Sequence, residues 1–376
     1  MIDIKTPKRY VSEPGAIHSL GSLIKIYGKR ALIVWSKTSK KVTQDAIIES
    51  LGTEEILYLE YLFSGYPTLD TAKNIAIEAK NHEVDIIIAV GGGRVIDSSK
   101  AAGDIANLAV AALPTIAATC AAWAALSVMY TKEGNFNHFR HNDHSPKIIV
   151  ADTLILAKAP ERYLKAGIVD TLAKWYETTA GQEKEKCDFS YINSVNSARI
   201  AYDYLLTHSS LVLDNIRKDV IDVNTTKTVD AIIFLAGNVG SYVGDKAFSG
   251  FAHPFYHSSR IVKETRSVLH GEIVAFGLIM QAILEKKSEG ELFWIIEKFS
   301  ELDVAFTLEE IGITKNKEEK LRLISNRIKE VFPGLMILQN NTNENAIEDA
   351  AYLADKYVKR FRKEQAHVSR EGKRRA

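Results

Sequence analysis

Apolar and polar positions follow two different rhythms along this chain. Through residue 155, short β-rich apolar runs alternate with amphipathic stretches, which predicts strands over 31–35, 55–59, 85–90, 110–113 and 147–150 and helices over 39–51 and 69–81. Strands alternating with helices in this way make a parallel sheet covered by helices. Beyond Pro160 the rhythm is almost wholly helical, with long segments over 162–179, 188–206, 225–243, 271–287 and 344–361. The change falls between Asp152 and Pro160. An α/β architecture is expected, with an N-terminal parallel-sheet domain over 1–155 and an all-helical domain over 156–376. The cleft between two such domains is a common place for a ligand site.

Composition narrows the class. The chain has 376 residues, 46% of them hydrophobic and 25% charged, enough for a large interior divided between two cores. A formal net charge of +1 gives no reason to expect nucleic acid or an anionic membrane as partner. Two cysteines, Cys120 and Cys187, build no disulfide framework and suit a reducing cytoplasm. The opening residues, Met1 to Tyr10, lack the apolar core of a signal peptide, and no apolar run approaches the roughly 18 residues of a membrane span. A soluble, cytoplasmic protein acting on a small molecule is expected. The basic residues of the last stretch, Lys359, Arg360, Arg362, Lys363, Arg370, Lys373, Arg374 and Arg375, read as a frayed, solvated terminus rather than an anion-binding arm, because aromatic interleaving is slight.

Two patterns carry chemistry. The buried run Asp85-Ile86-Ile87-Ile88-Ala89-Val90 leads directly into Gly91-Gly92-Gly93-Arg94-Val95-Ile96-Asp97. A strand, a glycine turn and a helix start let backbone amides approach a phosphate at a helix N-terminus. The same run is also what a plain tight turn needs, but Asp97, Ser98 and Lys100 just after it favour the cradle. It is not the G-x-G-x-x-G fingerprint, so a dinucleotide site of a different detailed kind is expected. Second, Asp170, His253 and His270 offer one carboxylate and two imidazoles, which leave a tetrahedral position open, as a catalytic zinc site requires. Gly167 precedes an amphipathic pattern and is expected to put Asp170 in the first turn of a helix, where the macrodipole also favours an acid.

These segments together resemble the glycerol dehydrogenase branch of the metal-dependent (iron-containing) alcohol dehydrogenase superfamily, from Tyr10-Val11-Ser12-Glu13-Pro14-Gly15 to about Phe361. Within it, Pro114-Thr115-Ile116-Ala117-Ala118-Thr119-Cys120-Ala121-Ala122-Trp123 followed by Leu126-Ser127-Val128 is most similar to bacterial hydroxycarboxylate dehydrogenases. The resemblance implies a dehydroquinate synthase-like fold and a homo-oligomer. It implies NAD or NADP held by Ser36, Gly92, Gly93, Arg94, Val95, Asp97, Thr115, Thr119, Leu126, Ser127 and Tyr130, and a divalent metal held by Asp170, His253 and His270, whose histidines stand 17 residues apart as in glycerol dehydrogenases. Iron-using relatives add a histidine one turn after the aspartate. Here that position is Lys174, which favours Zn2+, with Fe2+ or another divalent ion left open. NAD-using relatives usually carry an acid in place of Ser36. Its absence, beside Lys37, Lys40 and Lys41, permits NADP(H), although those lysines also fit a solvated helix face. Tyr256 stands where glycerol dehydrogenases usually have a second histidine, leaving His257 or a water as the candidate proton carrier.

Substrate choice turns on Cys120 and Lys174. Glycerol dehydrogenases usually have an aspartate at the Cys120 position, and a thiol is a much poorer acceptor for glycerol hydroxyls. A lysine beside the metal instead pairs with a substrate carboxylate. Packing at Cys120 and simple exposure of Lys174 are the plainer alternatives. The expected function is an NAD(P)(H)- and divalent-metal-dependent oxidoreductase interconverting small 2-oxo acids and 2-hydroxy acids. Glycerol or another vicinal diol is the competing substrate. A lyase like dehydroquinate synthase, or a nucleotide-binding protein without catalysis, are the competing classes.

Overall fold

Residues 86–91 are buried along their whole length, which suits a strand at the middle of a sheet covered on both faces. The structure, a computed structural model, describes residues 3–180, 189–243, 250–304, 306–339 and 343–375. Strands β1 (Arg9–Glu13), β2 (Arg30–Trp35), β3 (Leu57–Leu62), β4 (Ile86–Gly91), β5 (Ala109–Pro114) and β8 (Ile148–Asp152) form one parallel sheet in the order β1-β8-β5-β4-β2-β3. Helices α1 (Leu20–Ile24), α2 (Lys37–Thr53), α3 (Leu69–Asn81) and α4 (Gly93–Ala106) connect them. Two further strands, β6 (Leu126–Tyr130) and β7 (Phe136–His141), pair antiparallel as a separate ribbon.

Beyond β8 the α-helices of the described residues are α5 (Thr153–Lys158), α6 (Glu161–Thr179), α7 (Phe189–Arg217), α8 (Val223–Asp230), α9 (Ala236–Val243), α10 (Ala252–Ser259), α11 (His270–Leu284), α12 (Glu289–Glu301), α13 (Lys317–Val331), α14 (Met336–Gln339) and α15 (Ala346–Arg375), with no further strand among them. One apolar core is continuous from Leu32, Ile87 and Ala112 on the sheet to Ile168, Phe255 and Phe276 in the helices. Tyr10 of β1 also donates to Asp230 of α8 at 2.7 Å, and Trp123 lies 5.1 Å from Phe234 ring to ring, so the two halves are joined by buried contacts.

Several expectations are corrected. The strand expected over 55–59 starts at Leu57, because Glu55 adopts a left-handed turn conformation at φ 52° as the chain leaves α2. The β6–β7 ribbon was not expected, since its polar and small residues read as a loop. The single helix expected over 225–243 is α8 and α9 joined by a π-helical turn, Ala231–Leu235. The C-terminal stretch is not frayed in its backbone, which stays helical to Arg375. Of the two cysteines, Cys187 lies outside the described residues. Among the described residues, no helix is long and apolar enough to cross a membrane.

Candidate active site

Three residues share one face of α6, spaced i, i+4 and i+7: Asp170 and Lys174, which line a cleft, and Glu177 behind them. All three are buried, at 1%, 4% and 0% exposure. Asp170 stands in the third turn of α6 rather than the first, because the helix begins at Glu161, directly after Pro160, and runs through Gly167. Gly167 serves close packing instead. A Cβ there would fall 2.0 Å from the Ala117 carbonyl oxygen. The helix dipole therefore does not stabilise Asp170, and side chains do.

His253 comes from the first turn of α10 and His270 is the first residue of α11. Their Nε2 atoms lie 3.1 and 2.8 Å from Asp170 Oδ1, and the three donor atoms all fall within 4.8 Å of one another. Asp170 Oδ2 faces Lys174 Nζ at 3.6 Å. Burial by itself raises the Asp170 pKa, but Lys174, His270 and His253 hold it well below the usual carboxylate range. Burial likewise opposes the charge on Lys174, and Asp170, Cys120 and Glu177 outweigh it, so its pKa is raised. Burial lowers His253, and Glu177 and Asp170 overcome that to push it up to about 9. His270 is lowered by burial despite Asp170. One carboxylate oxygen and two imidazole nitrogens converging at these distances fit a divalent cation, and three protein donors leave a position for substrate.

Glu177 was missed by sequence reasoning. Its Oε1 accepts the His253 backbone N–H at 2.9 Å and its Oε2 lies 2.5 Å from His253 Nδ1. The signal was present as an acid on the same helix face as Asp170, but nothing local says what it meets.

The cleft has a volume of about 1520 Å³ and is lined by residues of both halves. That exceeds the roughly 300–1,000 Å³ of an ordinary small-molecule pocket and leaves room for a dinucleotide beside a small substrate. On the sheet side it is lined by Ser36, Gly92, Gly93, Arg94, Val95 and Asp97, then Thr119, Cys120, Leu126 and Tyr130. On the helical side it is lined by Asp170, Lys174, His253, His257 and His270. Gly92 caps α4, so the first amides of that helix open on the cleft. Asp97 pairs with Lys100 at 2.9 Å, and Lys100 also donates to the carbonyls of Ala121, Ala124 and Leu126. The segment carrying Thr119 and Cys120 is thereby tied to the glycine-turn helix.

Two expected residues do not face the cleft. Ser127 is fully buried, donating to the Asp97 carbonyl and accepting from Asn142, and Thr115 is buried with its amide bonded to the Gly91 carbonyl. Ser36 caps α2 by accepting from the Ser39 amide. Of the nearby lysines, Lys40 pairs with Glu60, while Lys37 and Lys41 are exposed. His257 sits among Phe136, Phe139 and Tyr256, and burial, with His270 and His253, pushes its pKa well below the ordinary value. Tyr256 packs 4.0 Å from His270, ring to ring, and its hydroxyl meets that of Tyr130 at 3.2 Å.

The profile of the family described as iron-containing alcohol dehydrogenase matches residues 7–153. The glycerol dehydrogenase of Pseudomonas putida is 30% identical over 326 residues, spanning 86% of this chain and 88% of that protein. The hydroxycarboxylate dehydrogenase A of Escherichia coli strain K12 is 29% identical over 337 residues, spanning 86% and 90%. The fold matches the crystal structure of glycerol dehydrogenase from Schizosaccharomyces pombe with a TM-score of 0.85 at 23% identity, over 97% of this chain and 93% of that one. The chain belongs to the iron-containing alcohol dehydrogenase superfamily, in its glycerol dehydrogenase-like branch.

Proposed function

We propose that this protein interconverts small 2-oxo acids and 2-hydroxy acids by hydride transfer, using a nicotinamide cofactor and a divalent metal. Residues 1–155 form the cofactor half and 156–376 the metal and substrate half. When bound, the metal supplies Lewis-acid polarisation of a carbonyl and the nicotinamide gives or takes hydride. Asp170, His253 and His270 hold the metal, and the three-donor set favours zinc. The amides after Gly92 receive the cofactor pyrophosphate. Ser36 replaces a carboxylate that would repel a 2′-phosphate, which supports NADP(H).

The observation that carries the substrate reading is the burial of Lys174 beside Asp170. A permanent cation at the metal site opposes metal binding by repulsion, a cost that an alcohol or diol substrate does nothing to offset. A substrate carboxylate pairs with it by a charge-assisted hydrogen bond and fixes the acid for reaction at C2. Cys120, lining the same cleft with its thiol pKa raised by burial, stays a neutral, weak acceptor. His257 or a metal-linked water is the candidate to take up the proton released in the oxidative direction, the water favoured by the burial that lowers the basicity of His257.

The test is a spectrophotometric assay of zinc-loaded protein with NADPH or NADH against 2-oxoglutarate, oxaloacetate, pyruvate and dihydroxyacetone. Turnover of the 2-oxo acids is expected. Turnover of dihydroxyacetone alone would replace this reading with a polyol dehydrogenase.

A further inference from the structure

Glu177 is not among the residues lining the cleft, yet each of its oxygens meets His253. Oε1 accepts the backbone N–H of His253 and Oε2 faces its Nδ1, with the Glu177 side chain wholly buried. An ionised carboxylate has only acceptors, so the partner nitrogen must carry hydrogen. That places a proton on Nδ1 and leaves Nε2, which faces Asp170 Oδ1 at 3.1 Å, as the nitrogen that would give up its proton to ligate a metal where the other donors converge. The backbone contact pins the residue as well as the ring, because one carboxylate fixes the amide and the imidazole together. Space for this grip is reserved in the sequence. A Cβ at Gly250 would come within 2.3 Å of Glu177 Cγ and 2.7 Å of its Cα.

We propose that Glu177 is the positioning residue of the metal centre, setting the tautomer and direction of His253 and thereby the affinity for the metal. This rests on Asp170, His253 and His270 being the metal ligands. Orienting carboxylates behind a ligating histidine raise its basicity and remove the freedom to present the wrong nitrogen.

Glu177→Gln is a sharp probe because it keeps the shape and removes only the acceptor pattern. An amide has one oxygen, and the His253 backbone N–H claims it. The NH2 group is then left opposite Nδ1, which must become an acceptor, so the proton moves to Nε2 and blocks the ligating lone pair. Zinc affinity, measured by competition with a chromophoric chelator, is expected to fall about 10- to 100-fold in Glu177→Gln. The visible spectrum of the Co2+-loaded variant should also change, along with the hyperfine-shifted exchangeable proton of His253 Nδ1. Gly250→Ala, which crowds Glu177 without touching its charge, is expected to weaken zinc in the same direction. Glu177→Asp, which keeps the acceptors but retracts them, should fall between wild type and Glu177→Gln. A merely structural role would lower the melting temperature of the metal-free protein and leave the affinity of the folded fraction alone. Glu177→Gln that binds zinc within about threefold of wild type, with an unchanged Co2+ spectrum, would overturn the proposal, since an orienting carboxylate should matter more than that. Wild-type protein that binds neither ion would instead remove the metal-site reading on which it rests.

Discussion

Lys174 Nζ lies 3.6 Å from Asp170 Oδ2, and the other oxygen of the same carboxylate faces His253 and His270. One buried acid is therefore shared between a fixed cation and the two imidazoles proposed to join it in holding a metal. Replacing Lys174 with Met removes the partner proposed for the substrate carboxylate and also the charge that would repel a metal at the proposed site. Its catalytic efficiency with 2-oxo acids is expected to fall roughly 10- to 100-fold, matching the about 1.5–3 kcal/mol of a hydrogen bond to a charged group. Zinc affinity should rise. Steady-state kinetics and metal titration of the same variant check both, and unchanged efficiency would end the carboxylate role.

Asp170→Ala strikes the same pair from the other side. It deletes a donor and leaves Lys174 with Glu177 as the remaining acid among the groups that raise its pKa. Loss of bound zinc by elemental analysis is expected, with a destabilisation of about 3 kcal/mol in urea unfolding, the low end for breaking a buried ion pair. Full activity in this variant would refute the metal assignment.

Gly271 sets how closely α11 approaches α6. A Cβ there would fall 1.9 Å from the Ala166 carbonyl oxygen, a backbone atom that cannot swing aside. Gly271→Ala should push His270 away from Asp170 and cost about 1–3 kcal/mol, the usual price of overpacking. Weaker zinc binding together with a lower melting temperature is the expected pair of results, and a variant with wild-type affinity would show that the helix contact does not govern the site.

Ser36→Asp tests cofactor choice without losing the helix cap, because aspartate caps as well as serine. Its carboxylate should repel a 2′-phosphate and leave NADH untouched or improved. Efficiency with NADPH is expected to drop at least about tenfold, given the several kcal/mol that like-charge juxtaposition costs. Equal loss with both cofactors would place Ser36 away from the ribose.

His253 gives the metal-free protein a pH signature. Its folded pKa, about 9, lies above the ordinary value of 6.5, so the protonated ring stabilises the fold. That stabilisation is present in full below the unfolded pKa and is lost as pH rises through about 9. Thermal melts with a chelator should therefore decline across that interval. Metal binding needs the neutral ring, so zinc affinity should climb over the same interval. A metal-free melting temperature that is flat across the interval would contradict the His253–Glu177–Asp170 arrangement.

Much of this protein is written in local pattern. The alternation of apolar runs and amphipathic stretches specifies a parallel sheet because buried strands such as β4 need apolar side chains on both faces. The glycine turn after β4, and the types of residue able to ligate a metal, are equally local. What the chain order hides is contact. Lys174 reads as easily as a solvated helix residue as a buried one, and only the packing of α6 against α11 and the cleft settles its burial. Glu177 is one acid among many until α10 lays His253 across it. Ser127 and Thr115 look like Thr119 in sequence but face the interior. Local sequence determines which groups a segment offers and with what period. Which of them lose water and meet one another depends on contacts across 83 residues, as between Asp170 and His253, and those form only when the helices close on the sheet.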